Sequence, residues 1–257
     1  MTTSPTIFFL LVFVLSVPFY VLGTFGGRLP GLQLLPSSAL MTFVPMFAAF
    51  LLVYRSRGAA GIVIAVQSML AASLSTKPRW YMIAVLFLPA ICVFEFGILR
   101  LTEIAVPFPQ VTFGKVLFSF AAFFIGAIGE EAGWQGYAYP ALRSRCSVIT
   151  SAIILGAIWA LWHIIPFIQL GRSGEWIMWY SLSAVAMRII IVWLFECSGS
   201  GILVAVLFHM MINVSWTLFP VAGSYYDPFI TFVLLAISAG LIVWLWRLST
   251  KHRNSFA

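Results

Sequence analysis

The chain has 257 residues, of which 62% are apolar and only 8% are charged. An ordinary soluble domain carries about 25% charged residues, so this composition excludes a water-soluble globule. The 14 basic residues outnumber the 7 acidic ones, but they are scattered between apolar runs without a nucleic-acid-binding motif, so we expect no nucleic acid partner.

The apolar runs predict an all-α polytopic membrane protein with one integral domain over residues 1–257. A membrane-spanning helix needs about 20 mostly apolar residues, so the chain has room for roughly eight spans. The segment 55–79 contains a short apolar stretch, 62–74, that is typical of a helix lying at the membrane surface. The eight predicted spans lie at about 7–23, 38–54, 80–99, 115–142, 149–168, 176–196, 201–219 and 228–246.

The basic residues between the spans predict the orientation. With both termini in the cytoplasm, nine basic residues lie on the cytoplasmic side and four, Arg28, Arg100, Lys115 and Arg172, lie on the other side. The positive-inside rule favours this arrangement. We therefore expect a multi-pass protein of the cell (plasma) membrane, in contact with bilayer lipid, with cytoplasmic N and C termini.

A few polar side chains fall inside the predicted spans, where an ionisable group is costly and usually marks a site. They are Glu130 and Glu131 in the fourth span, His163 in the fifth, Arg188 in the sixth, and His209 and Asn213 in the seventh. Counted from the presumed cytoplasmic end at ~1.5 Å per residue, Glu130 and His163 lie about 20 Å deep, and His209 and Asn213 about 12 and 18 Å. This shared depth predicts a buried polar site between spans 4, 5 and 7.

Such a cluster supports two mechanisms of hydrolysis. In the first, a glutamate deprotonates water, a histidine shares that proton, and histidine and asparagine donors stabilise the oxyanion. In the second, Glu130, His163 and His209 hold a divalent metal, for which Zn²⁺ suits these ligands best. Both are consistent with the sequence, whereas the HExxH pattern of soluble zinc proteases is absent.

Other polar and aromatic residues have simpler interpretations. Glu131 is either part of the site or a structural ion-pair partner. We expect interfacial water to solvate Glu95, Glu175 and Glu196, which lie near span ends. The tryptophans around the cluster, Trp134, Trp159, Trp162 and Trp216, are expected to pack and to exclude water.

Three motifs around these residues resemble the CAAX protease and bacteriocin-processing family of intramembrane proteases, which includes type II CAAX prenyl endopeptidases. The stretch from Glu130 to Gln135 is similar to its EExxxR box, Trp159 to His163 to its FxxxH box, and His209 to Asn213 to its HxxxN box. The resemblance covers about residues 114–216, which we take as the catalytic core. It implies an eight-helix fold and endopeptidase activity on a peptide or membrane-anchored protein substrate.

The resemblance also implies roles for individual residues. Glu130 and His163 would position the water, and His209 and Asn213 would stabilise the oxyanion. Trp159 stands where the family has Phe, and Gln135 stands where it has Arg. The usual cation partner of Glu131 is therefore missing, and we hypothesise that Arg188 replaces it.

Two alternatives belong to other functional classes. A variant with Gln135 is also compatible with a non-catalytic bacteriocin-immunity or interaction protein that uses the same cavity for binding. Buried Glu and His would also serve a transporter or proton relay, although no inverted repeat accompanies them.

Overall fold

A computed structural model describes residues 4–29, 32–102 and 105–254. This part of the chain is almost entirely helical, which confirms the predicted class of all-α polytopic membrane protein. The elements in chain order are α1 (Pro5–Phe25), β1 (Arg28–Leu29), β2 (Leu32–Pro36), a 3₁₀ helix (Ser37–Phe43), α2 (Val44–Leu74), α3 (Pro78–Leu101), α4 (Phe113–Gly133), a π-helical segment (Trp134–Ala138), α5 (Tyr139–Arg143), α6 (Val148–Gln169), α7 (Gly174–Cys197), α8 (Ile202–Leu218), α9 (Pro220–Gly223) and α10 (Pro228–Asn254).

The described helices follow the predicted spans closely. Seven helical segments in the described ranges are long and apolar enough to cross a membrane, and α8 is a shorter apolar helix of 17 residues. The fourth predicted span corresponds to α4, the π-helical segment and α5 together. The fifth, sixth and seventh spans correspond to α6, α7 and α8.

The second predicted span differs most from the structure. It starts as the 3₁₀ helix and continues through α2 to Leu74, but Gly58 interrupts α2 with φ 66° and ψ −168°. Glycine lacks a Cβ and adopts this backbone conformation readily, so α2 consists of two helical halves. The second half contains the predicted surface stretch 62–74, and its Ser73 hydroxyl accepts a hydrogen bond of 3.1 Å from the backbone N–H of Leu203. Its position relative to the bilayer stays a prediction.

Hydroxyl side chains cap the starts of two of the helices that carry the site, α4 and α6. Thr112 accepts a hydrogen bond from the backbone N–H of Lys115 at the start of α4, and Ser147 accepts one from Thr150 at the start of α6. These caps satisfy N–H groups that have no partner within the helix. The starts of α4 and α6 are therefore encoded locally.

A glycine-lined face of α4 brings the 3₁₀ helix close to the site. Gly126, Gly129 and Gly133 lie on this face, and a Cβ added at Gly129 would come within 2.8 Å of the backbone oxygen of Thr42. Small residues allow backbones to approach closely in membrane proteins. The 3₁₀ helix therefore lies directly beside the last turns of α4.

The two ends of the bundle carry different loops. We call the end with the β1–β2 hairpin the hairpin end, where the Gln169 side-chain amide donates to the backbone oxygen of Tyr20 at 2.7 Å. At the opposite end, the Thr76 hydroxyl lies 3.1 Å from the backbone oxygen of Ser198. The loop 170–173 therefore lies at the hairpin end, and the loop between α7 and α8 lies at the opposite end.

Glu95 is not solvated at the membrane interface, and that prediction is wrong. Its side chain is fully buried, and its carboxylate accepts hydrogen bonds from the backbone N–H of Asp227 at 2.7 Å and from the Thr231 hydroxyl at 2.5 Å. The start of α10 covers the carboxylate and supplies these donors. By contrast, Glu175 is exposed and Glu196 is half-buried.

Candidate active site

The four residues predicted to be catalytic line a single cavity of about 200 Å³. Glu130 comes from α4, His163 from α6, and His209 and Asn213 from α8. The cavity extends to Pro36 and Leu170 at the hairpin end. The structure therefore brings together side chains from three helices that the sequence places at a similar depth.

The Glu130 carboxylate is held from two sides. Trp159 Nε1 donates a hydrogen bond of 2.8 Å to Oε2, and the Thr42 hydroxyl lies 3.2 Å from Oε1. The same hydroxyl lies 3.0 Å from the backbone oxygen of Gly126, so it donates to one of these acceptors at a time. Glu130 is only 6% exposed, and its two contacts fix the direction in which the carboxylate faces the cavity.

The hydrogen bonds of the two imidazoles define their tautomers. His163 Nδ1 lies 2.8 Å from the backbone oxygen of Trp159, and His209 Nδ1 lies 2.7 Å from Glu131 Oε1. Both partners accept only, so both Nδ1 atoms carry a hydrogen. Nε2 of His209 lies 3.9 Å from Glu130 Oε2. In both rings Nε2 is therefore the nitrogen available for chemistry.

Glu131 forms the ion pair hypothesised for it. Its Oε2 lies 2.7 Å from a terminal nitrogen of the Arg188 guanidinium, and both side chains are fully buried. Since Oε1 binds His209, the carboxylate connects Arg188 to the imidazole. Glu131 is thus both an ion-pair partner and the group that orients His209.

Trp159 makes more contacts with the site than its predicted packing role requires. Besides its bond to Glu130, its ring centre lies 4.7 Å from the Arg188 guanidinium carbon and 5.1 and 5.2 Å from the rings of His163 and His209. These distances match cation–π and edge-to-face contacts. Trp159 therefore touches the carboxylate, the cation and both imidazoles.

Gln135 follows Glu131 by four residues and lies in the π-helical segment. It is fully buried, and neither its nitrogen nor its oxygen has a hydrogen-bond partner among the described residues. Nε and one terminal nitrogen of Arg188 also lack such partners there. Buried polar groups of this kind are usually satisfied by internal water.

The described residues contain no group of three or more His, Cys, Asp or Glu side chains that could hold a metal ion. The predicted ligands Glu130, His163 and His209 therefore share the cavity without forming a ligand cluster. Zinc dependence stays a prediction from the sequence.

Two polar residues that line the cavity are missing from the sequence-based prediction. Thr42 comes from the 3₁₀ helix, far from the three motifs, and the buried Tyr180 of α7 also lines the cavity. Neither has a distinguishing signal, because a hydroxyl or phenol inside an apolar run is common in membrane helices. Gly126, Gly129 and Gly133 recur at three- and four-residue intervals along α4. This pattern is the one local sign that another backbone approaches the helix.

Comparisons with known proteins support the resemblance carried by the three motifs. Residues 112–215 match the family model described as type II CAAX prenyl endopeptidase Rce1-like. A curated relative, CAAX prenyl protease 2 of Methanococcus maripaludis, is 34% identical over 131 residues. This match covers 47% of each chain, so the chain spans about half the length of the curated relative it matches. The predicted family resemblance is confirmed.

Proposed function

We propose that this multi-pass membrane protein is an endopeptidase of the CAAX type that hydrolyses a peptide bond in or near the membrane, with residues 114–216 as its catalytic core. The convergence of Glu130, His163, His209 and Asn213 on one cavity carries the proposal. The substrate is a peptide or membrane-anchored protein that reaches this cavity. The match to a family named for CAAX prenyl endopeptidases supports this class of activity.

In the proposed reaction Glu130 acts as the general base. Its carboxylate takes a proton from water as the water oxygen attacks the scissile carbonyl, and the proton passes to the leaving amine as the carbon–nitrogen bond breaks. His163 has Nδ1–H bound to a backbone carbonyl, so its Nε2 can accept a hydrogen bond from the water. Together these groups hold the nucleophile at the carboxylate.

The oxyanion requires donors on the other side of the carbonyl. The Asn213 amide donates without a change in protonation, whereas His209 donates through Nε2 only when both ring nitrogens carry hydrogen, because Nδ1–H is bound to Glu131. Arg188 and Glu131 hold His209 in this orientation. Fixed donors of this kind stabilise developing charge in a cavity of low dielectric.

The test uses the full chain, purified in detergent or in liposomes, with peptides that carry or lack a prenylated cysteine. We expect cleavage by the wild type and a rate lowered by about 10²–10⁴-fold in Glu130→Gln and in His163→Ala, the range for loss of a general acid or base. Glu175→Gln is the matched control, because this carboxylate is exposed and should leave the rate unchanged. Metal analysis and chelation of the same preparation test the zinc prediction.

Two results would contradict the proposal. One is a folded wild type that cleaves none of these peptides. The other is Glu130→Gln cleaving as fast as the wild type. A phenotype in cells that survives both Glu130→Gln and His163→Ala would favour a non-catalytic binding role for the same cavity.

A further inference from the structure

A threonine hydroxyl from outside the three helices of the site touches the proposed general base. The Thr42 hydroxyl oxygen lies 3.2 Å from Oε1 of Glu130 and 3.0 Å from the backbone oxygen of Gly126. Gly126 precedes Glu130 by four residues on α4, so both acceptors belong to one helical turn. Thr42 therefore lies across the turn that presents Glu130 to the cavity.

Close packing of the 3₁₀ helix against α4 holds Thr42 in this place. A Cβ added at Gly126 would lie 3.3 Å from the Thr42 hydroxyl oxygen, and one added at Gly129 would lie 2.8 Å from the Thr42 backbone oxygen. Small residues allow backbones to approach this closely in membrane proteins. The Thr42 oxygen is thus held by its surroundings, whereas the hydroxyl hydrogen can rotate between its two acceptors.

The two hydrogen-bond partners of Glu130 differ in how they respond to a proton on the carboxyl group. Trp159 Nε1 lies 2.8 Å from Oε2, and an indole N–H can only donate, whereas a hydroxyl both donates and accepts. With Glu130 as a carboxylate, Thr42 donates its hydrogen to Oε1. With a proton on Oε1, the Thr42 oxygen accepts that hydrogen and turns its own towards the backbone oxygen of Gly126.

We propose that Thr42 is a positioning residue that holds the Glu130 carboxyl group in one orientation in both of its protonation states. The inference rests on the proposed function, in which Glu130 takes a proton from water and later gives it to the leaving amine. The Thr42 hydrogen changes its partner during this cycle without leaving its oxygen. Without the hydroxyl, the bond from Trp159 alone would hold the carboxyl group, which could rotate about that single contact.

Loss of the hydroxyl should slow the chemical step without weakening the binding of peptide. Thr42 and its neighbours Met41 and Phe43 all line the cavity, so a change in the shape of this wall would act on bound peptide and raise KM. A misplaced base, by contrast, loses stabilisation of the transition state and lowers kcat. The division of the effect between kcat and KM therefore distinguishes a positioning role from a structural one.

The test compares three variants of the full chain in the peptide cleavage assay. Thr42→Val keeps the shape of the side chain without the hydroxyl, and should lower kcat by about 10-fold to 100-fold with KM within about twofold. Thr42→Ser keeps the hydroxyl and should recover most of kcat. Thr42→Ala also lacks the hydroxyl and should lose kcat as Thr42→Val does, so a folding defect in one variant does not decide the result.

Thr76→Val is the matched control. Thr76 is a buried threonine whose hydroxyl oxygen lies 3.0 and 3.1 Å from the backbone oxygens of Ala72 and Ser198, and it does not line the cavity. The same substitution there removes a hydroxyl that also has two acceptors, and it should leave kcat unchanged. The proposal is overturned if Thr42→Val keeps the wild-type kcat, if its loss falls on KM instead, or if Thr42→Ser is as slow as Thr42→Val.

An infrared measurement separates this proposal from the proposed function. The carboxyl band of Glu130 is the band that Glu130→Gln removes from the spectrum of the wild type. Thr42→Val should shift this band, because the hydrogen bond at Oε1 is lost, whereas Thr42→Ser and Thr76→Val should leave it in place. A band that Thr42→Val does not move overturns the proposal even in a protein that cleaves peptides. A shifted band in a wild type that cleaves none would contradict the proposed function while supporting the contact.

Discussion

At the scale of single residues, the buried charges of the site are stable because they are paired with one another. Glu131 and Arg188 are both fully buried, and each would be costly alone. The pair also holds His209 through the second carboxylate oxygen. One ion pair therefore has two consequences, for stability and for the orientation of an imidazole.

Replacing Arg188 with Gln should destabilise the fold strongly. The substitution leaves the Glu131 carboxylate buried without its cation, which costs about 3–5 kcal/mol in the free energy of unfolding. Thermal unfolding in detergent measures this change. The double variant Glu131→Gln/Arg188→Gln removes both charges and should lose less than the sum of the single losses, so additive losses would contradict the coupling. Arg143→Gln, an exposed arginine, is the control.

Replacing Trp159 with Phe tests the bond to Glu130. Phe keeps apolar bulk but lacks the indole N–H, so a bond to a charged acceptor worth about 1.5–3 kcal/mol is lost. We expect peptide hydrolysis to fall by about 10-fold or more. Trp162→Phe is the matched control, since Trp162 donates to the Ser16 hydroxyl at 2.8 Å. Equal losses of activity in the two variants would show that the bond to Glu130 has no special role.

At the scale of elements, small residues decide how the helices meet and where they break. Glycines on α4 admit the 3₁₀ helix, and with it Thr42, to the side of Glu130. Gly58 divides α2 into two halves at φ 66°. Both features use the absence of a Cβ, one for close approach and the other for backbone conformation.

Gly58→Ala should therefore destabilise the protein although its Cβ has free space. No atom of the described structure lies within 4 Å of a Cβ added at Gly58, so the cost of about 1–3 kcal/mol comes from the backbone alone. Gly97→Ala is the control, because Gly97 lies inside α3 with equally open space. There the substitution should stabilise by about 0.5–1 kcal/mol, and unfolding measurements that give both variants the same sign would contradict the assignment.

At the scale of the whole molecule, the distribution of basic residues predicts which end faces the cytoplasm. Arg143, the last residue of α5, and Arg145, in the loop that follows it, lie at the end opposite the hairpin, while Arg28 and Arg172 lie at the hairpin end. The positive-inside rule then directs the opposite end towards the cytoplasm. Since the cavity extends to the hairpin end, the orientation also decides from which side the proposed peptide substrate would reach Glu130.

Cysteine labelling tests this orientation. Cys146 is a free thiol in the loop between α5 and α6, so a membrane-impermeant maleimide should label it only after cells are permeabilised. In a Cys146→Ser background, Glu175→Cys should be labelled in intact cells. The reverse pattern would show that the termini face away from the cytoplasm.

Local patterns in the sequence were enough to predict several features of this protein. Long apolar runs predicted the helices, because burying apolar side chains in a bilayer needs only length and composition. The high cost of polar groups in the membrane singled out Glu130, His163, His209 and Asn213. Helix periodicity then predicted their common depth, since a fixed rise per residue converts sequence distance into height.

Which side chains touch one another depends on how the helices pack, and the sequence did not predict these contacts. The bond from Trp159 to Glu130, the position of Thr42 and the burial of Glu95 under α10 all depend on how helices rotate about their axes and pack. Sequence spacing fixes the height of a residue along its own helix, but not the neighbouring helix that its side chain faces.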